Sequence, residues 1–225
     1  LLVHGCVTGV NEESIYSDKI VEKKTYSKWG NINTSEIIIL AIHGYNDYSN
    51  SFKIPAEYLS KSNIFTFSLD LDGFGRNNNF SFWYPLRVHK QVIKEELLKL
   101  KELYPKKKII LLGESMGGAI ITSLMTHEKD LPIDAAVLVA PAIWNFTEKN
   151  FFKSLFMSLL SKSFPNLKVS SKGWVKVQAS DNQEMLEELS EDKYFIHHPN
   201  LKSLYGIIEL MDESYKDSKI FFSQP

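Results

Sequence analysis

The sequence predicts an α/β fold, a mostly parallel β-sheet with helices on both faces followed by a helical insertion. Three observations carry this expectation. Four short apolar runs, at residues 37–42, 64–69, 109–112 and 135–140, do not alternate with polar residues, the pattern of strands buried on both faces. Helical periodicity separates them. A glycine-flanked serine turn joins the third run to the helix after it.

Taken in order, residues 1–18 read as an irregular N-terminus. Leu1-Leu2-Val3-His4-Gly5-Cys6 has the form of an apolar leader running into a cysteine, so Cys6 is either a lipidated anchor remnant or a free thiol. Those two readings correspond to a lipid-anchored and a cytoplasmic protein. Residues 19–143 form the expected core. Its antiparallel edge comes from the stretch around Ile20 to Tyr26 and the turn Trp29-Gly30-Asn31, ahead of the run that starts at Ile37. Between the second and third runs, Val88, Val92, Ile93, Leu97, Leu100 and Tyr104 fall on one face of a helix that Pro105 ends. His89 on this helix and His127 on the next are expected to face solvent. After Trp144 the strand pattern stops, and residues 144–217 read as helices at about 150–161, 183–190 and 201–215. Residues 218–225 read as the start of another strand.

Composition narrows the function. The 225 residues are 44% hydrophobic, enough for one domain core, and 26 basic against 27 acidic residues leave a net charge of -1. No electrostatic footprint for nucleic acid stands out. A single cysteine excludes an internal disulfide and a cysteine-rich zinc module. No apolar run approaches the roughly 18–20 residues of a spanning helix.

The chemistry sits in Gly113-Glu114-Ser115-Met116-Gly117-Gly118, a G-x-S-x-G between strand and helix where a nucleophile elbow belongs. A serine on so sharp a turn has strained backbone, tolerated when its neighbours carry no clashing side chain. Upstream, the run 37–42 ends in His43-Gly44-Tyr45, placed to give a backbone N–H to an oxyanion; the N–H of Met116 is the second expected donor. His43 itself reads as structural.

With His43-Gly-Tyr-Asn-Asp-Tyr-Ser49, Asp70-Leu-Asp-Gly-Phe-Gly-Arg76, the Ser115 motif, Ala140-Pro-Ala-Ile-Trp144 and the segments at 180–186 and 204–212, the chain resembles the α/β-hydrolases. Within them it is similar to the monoacylglycerol lipase and lysophospholipase-like serine hydrolases, bacterial members in particular. The resemblance implies an acyl-enzyme on Ser115, oxyanion donors Tyr45 and Met116, no metal or organic cofactor, and a small lipid or ester substrate. It also implies that residues 144–217 are a lid over the site. In that lid Phe151, Leu155 and Leu159 with Phe152, Phe156 and Leu160 form a broad apolar stripe, able to line an acyl site, rest on a membrane surface, or pack on the core.

The family's order of serine, acid and histidine puts the last two after its seventh and eighth strands, so the chain is expected to lack them and to be truncated. Asp181 with His197 or His198 has the right order but lies in the lid segment. A catalytically inactive remnant or a lipid-binding module is therefore the alternative to an active esterase.

Overall fold

The structure is a computed structural model, described for residues 24–169 and 181–221. Cys6, the N-terminal stretch through Lys23 and the segment from Phe222 onward lie outside the described residues.

The strands are β1 (Tyr26–Trp29), β2 (Ile37–Ile42), β3 (Ile64–Leu69), β4 (Lys108–Glu114) and β5 (Ala135–Val139), in the sheet order β1-β3-β2-β4-β5. β1 runs antiparallel at one edge and the other neighbours are parallel. Three crossovers link the parallel strands: α1 (Lys53–Ser60), α2 (Leu86–Leu103) and α3 (Met116–His127). The registers place Ile38 opposite Phe65 and Ile109, and Leu40 opposite Phe67 and Leu111. These rows pack against Ile93 and Leu97 of α2 and Ile120 and Leu124 of α3, forming the main core. On the other sheet face Phe52 and Leu59 cover Ile39 and Ala41, so helices lie on both faces.

β5 departs from the expectation of burial on both sides. Ala136 and Leu138 pack on the main core, whereas Val137 and Val139 are 45% and 46% exposed. The reason is that α1, the helix on that face, packs mainly on β3 and β1, at the end of the sheet away from β5.

After β5 come α4 (Phe146–Lys149), α5 (Phe151–Ser163), α6 (Gln183–Glu191) and α7 (Leu201–Ser218), with no further strand among the described residues. α7 packs on α3, where the Ser214 hydroxyl donates to the Ala119 carbonyl at 3.0 Å. Lys219 and Ile220 form the turn that ends α7. Helix α5 is oriented against ordinary amphipathic logic. It buries Ser154 and Ser161 and exposes Phe151, Phe152, Leu155, Phe156 and Leu159. Its inward face is polar because its neighbours are: Ser154 Oγ meets Thr147 Oγ1 at 2.9 Å, and the amides of Phe146 and Thr147 donate to the Asp212 carboxylate of α7. The stripe therefore does not pack on the core. No helix among the described residues is long and apolar enough to cross a membrane.

Candidate active site

Ser115 stands between the last residue of β4 and the first of α3 with φ 50° and ψ −110°. That left-handed backbone is costly for a residue with a side chain and persists only where its surroundings fix it. Here the Ser115 amide donates to the Val139 carbonyl at 2.9 Å, and the Ser115 carbonyl accepts from Ala142 at 2.9 Å and Ala119 at 3.1 Å. Gly117 lets α3 drop onto β2: a Cβ there would lie 2.1 Å from the Ile42 carbonyl oxygen. The hydroxyl is thus presented, half-buried, at the N-terminal end of α3, where helix amides have no intrahelical partner.

Gly44 passes directly over this turn. A Cβ on it would sit 3.4 Å from Ser115 Cβ and 2.3 Å from Glu114 Oε2. The loop after β2 and the turn at Ser115 are therefore in contact. Among the described residues the Tyr45 and Met116 amides donate to no backbone or side-chain acceptor.

His43 is fully buried, and its ring is spoken for. Nε2 accepts from the Leu71 amide at 3.0 Å, which leaves the proton on Nδ1, donating to the Gly44 carbonyl at 2.8 Å. Burial pulls its pKa from 6.5 to about 4, so it is neutral at pH 7. It clamps the loop and has no free lone pair to act as a base. Asp70 anchors the same region from below, its carboxylate accepting from Arg76 Nε at 2.8 Å and the Ser49 amide at 3.1 Å. The Arg76 hydrogen bonds hold the Asp70 carboxyl below the usual carboxylate range, against the opposing pull of burial.

The other histidines are dispersed. His89 is not at the surface as expected: it is wholly buried beside Phe74 and Trp83, and burial drives its pKa to about 3. Its position four residues before Ile93 puts it on the inward face of α2. His127 Nε2 lies 3.0 Å from Asp217 Oδ1, joining α3 to α7, and its side chain is half exposed. His197 Nε2 lies 2.9 Å from the Asp192 carbonyl, and Asp181 is exposed. Neither histidine at 197 or 198 has a described hydrogen bond to Ser115. Among the described residues no cluster of three or more His, Cys, Asp or Glu side chains could hold a metal ion.

Three carboxyl groups near the turn were not singled out by the sequence. Burial raises Asp47 to about 6, with Asp192 adding repulsion, and burial raises Glu114, with Asp47 adding to it and the Gly44 amide opposing. Tyr48 Oη donates to Asp192 Oδ2 at 2.6 Å, and Tyr45 Oη and Ser203 Oγ are 2.8 Å apart. These contacts join residues more than a hundred positions apart, beyond the reach of local periodicity.

A mostly parallel sheet flanked by helices, with a strained serine turn between a central strand and its following helix, defines an α/β-hydrolase. Residues 33–220 match the family model described as serine aminopeptidase, S33, and the chain belongs to that family. It is 24% identical over 181 residues to a monoglyceride lipase of Rattus norvegicus, covering 80% of this chain and 58% of that protein. It is 21% identical over 193 residues to phospholipase YtpA of Bacillus subtilis, covering 84% of this chain and 72% of that one. The chain thus spans little more than half the length of the rat relative. In fold it is similar to the monoacylglycerol lipase of Paleococcus ferrophilus, with a TM-score of 0.68 at 19% identity over 87% of this chain and 73% of that one. A soluble variant of the Saccharomyces cerevisiae monoglyceride lipase in complex with a substrate analog gives 0.65 at 17% identity, over 83% and 64%.

Proposed function

We propose that Ser115 is the nucleophile of a hydrolase of carboxylic esters, and that its substrates are lipid esters of the monoacylglycerol or lysophospholipid kind. The observation that carries this is the strained Ser115 backbone, φ 50°, held under the Gly44-Tyr45 loop. In this reading Ser115 Oγ attacks the ester carbonyl carbon while its proton passes to a base. The carbonyl oxygen becomes an oxyanion held by the Tyr45 and Met116 amides. Its collapse breaks the bond to the alcohol, which leaves with the proton, and water then hydrolyses the acyl-enzyme. Loss of one such donor typically costs about 10²–10³ in rate. Among the described residues the His43 lone pair is used by the Leu71 amide, and His127 and His197 bond to Asp217 and to the Asp192 carbonyl.

Residues 144–217 act as a lid in this reading. The outward stripe of α5, with Phe152 81% exposed, favours peripheral contact with a lipid surface over a core-packing role. The names of the relatives support the lipid-ester assignment.

A fluorophosphonate probe tests the proposal. Covalent labelling of the chain that is lost in Ser115→Ala supports it, and absence of labelling refutes it. The second reading, an inactive lipid-binding module, is favoured by the dispersal of the histidines. Turnover of a p-nitrophenyl ester by the 225-residue chain, abolished in Ser115→Ala, would sink that reading.

A further inference from the structure

The loop that carries the Tyr45 amide is held from two sides, and the second side is the helical segment. Below, His43 fixes the Gly44 carbonyl. Above, three residues of the loop, Tyr45, Asn46 and Tyr48, each meet a different point of residues 192–203. Tyr45 Oη and Ser203 Oγ are 2.8 Å apart; the Ile196 amide donates to the Asn46 carbonyl at 2.9 Å; Tyr48 Oη donates to Asp192 Oδ2 at 2.6 Å. The Tyr48 and Tyr194 rings also lie 5.7 Å apart.

The upper partners are themselves fixed. Asn200 caps α7 by accepting from the Ser203 amide at 2.8 Å and donates to the Ser81 carbonyl at 2.8 Å. Gly206, one turn on, lies against Trp83, since a Cβ there would be 2.1 Å from Trp83 Nε1. Ser203 and Ile196 are buried at 3% exposure each. A displacement of α7 or of the 192–196 turn therefore pulls on the loop at side chains adjoining the oxyanion donor.

We infer that segment 192–203 is a positioning element for the Tyr45 amide, with Ser203 and Asp192 as positioning residues, so that the helical segment's placement sets the geometry of the oxyanion site. Three bonds are spent on holding a loop that has no hydrophobic side chain of its own between Gly44 and Asp47 except Tyr45. If the segment served only as a cover, none of them would need to end on that loop. This rests on the reading of Tyr45 and Met116 as oxyanion donors, but the mechanical coupling does not.

The experiment is hydrogen exchange by mass spectrometry on the full chain, followed by fluorophosphonate labelling. Ser203→Ala and Tyr48→Phe each cut one bond and leave the packing volume nearly unchanged; Ser203→Thr keeps the hydroxyl. Exchange at amides 45–49 is expected to rise several-fold in the first two and to stay at the wild-type rate in the third, with the helical circular dichroism signal unchanged. Labelling of Ser115 is expected to slow by about 10-fold in the first two variants, short of the 10²–10³ lost with a whole donor. Unchanged exchange at 45–49 in both folded variants overturns the inference whatever the labelling does. Raised exchange in a chain that never labels supports the coupling and removes the hydrolase reading instead. Should Ser203→Ala not fold, Tyr48→Phe alone decides, since its hydroxyl reaches the segment by a separate bond.

Discussion

Gly117→Ala is the substitution whose outcome is most tightly fixed by the structure. The added Cβ would lie 2.1 Å from the Ile42 carbonyl oxygen, 2.7 Å from its carbon and 2.9 Å from the His43 carbonyl oxygen. All three are backbone atoms at the end of a central strand and the residue after it, so no side chain can swing aside. Contact needs more than 3 Å, so α3 must retreat from β2 by about an ångström, opening the packing of Ile120 and Leu124 on the sheet. Overpacking of this kind costs typically about 1–3 kcal/mol, and in a domain of this size each kcal/mol lowers Tm by about 2–4 °C. A fall of about 2–12 °C is expected in a thermal scan of the full chain. Gly44→Ala is the internal comparison. Its nearest neighbour, Glu114 Oε2 at 2.3 Å, is the tip of a side chain that can rotate, and Ser115 Cβ at 3.4 Å is an ordinary contact. Its Tm should move by less than about 2 °C, because a flexible neighbour relieves the clash without a backbone shift. A Gly117→Ala chain as stable as wild type would refute the claim that direct helix-on-strand contact holds Ser115 in place.

Three other outcomes follow from named contacts. Both His43 and His89 have depressed pKa values, about 4 and about 3, so their neutral forms stabilise the fold fully above about 6.5, and that stability is lost as pH falls toward those values. His89→Leu should flatten the decline of denaturant stability between pH 6.5 and 4.5 by up to about 1.4 kcal/mol per pH unit, the slope of one linked proton; an unchanged slope contradicts the burial argument. Arg76→Leu leaves the Asp70 carboxylate, whose side chain is 0% exposed, without its guanidinium, and should cost about 3 kcal/mol or more in urea unfolding at pH 7. Phe152→Asp with Phe156→Asp should leave Tm within about 2 °C, because both rings are exposed, while abolishing co-sedimentation with lipid vesicles; retained sedimentation would exclude α5 as the contact.

The sheet was legible because buried parallel strands concentrate apolar residues, and β2 and β3 fall on the bounds their runs suggest. The same signal overstated β5, since a run of Ala and Val does not record whether a helix covers its second face. α1 carries the faintest helical signal, because its Ile54 and Tyr58 point outward, 68% and 70% exposed, and only Ala56 is buried. In α5 periodicity found the helix but not its orientation, which is set by Asp212 and Thr147, a tertiary partner and a neighbouring turn. The Ser115 turn was readable because glycine spacing and strand context are local. The grip of Ser203, Ile196 and Asp192 on the loop was not, because it spans 144 positions or more and uses residue types common everywhere.

The carboxyl groups around the turn bear on which lipid ester fits best. Asp192 adds to the raised pKa of Asp47 and Asp47 adds to that of Glu114, while the Arg76 guanidinium is committed to Asp70. With Asp47 at about 6, it is mostly ionised at pH 7.5. A headgroup carrying a phosphate would approach this charge; a glycerol would not be repelled and could donate hydroxyls to it. At an effective dielectric constant of about 20, a unit charge about 8 Å away is repelled by about 2 kcal/mol, or roughly 30-fold before salt screening. We expect Ser115 to be labelled at least about 10-fold faster by a phosphonate with an uncharged glycol arm than by one with an anionic arm, with the ratio falling in Asp47→Asn and at high salt. Equal rates for the two probes would mean that these carboxyl groups do not face the substrate, and would remove the preference for uncharged monoacylglycerol over anionic lysophospholipid.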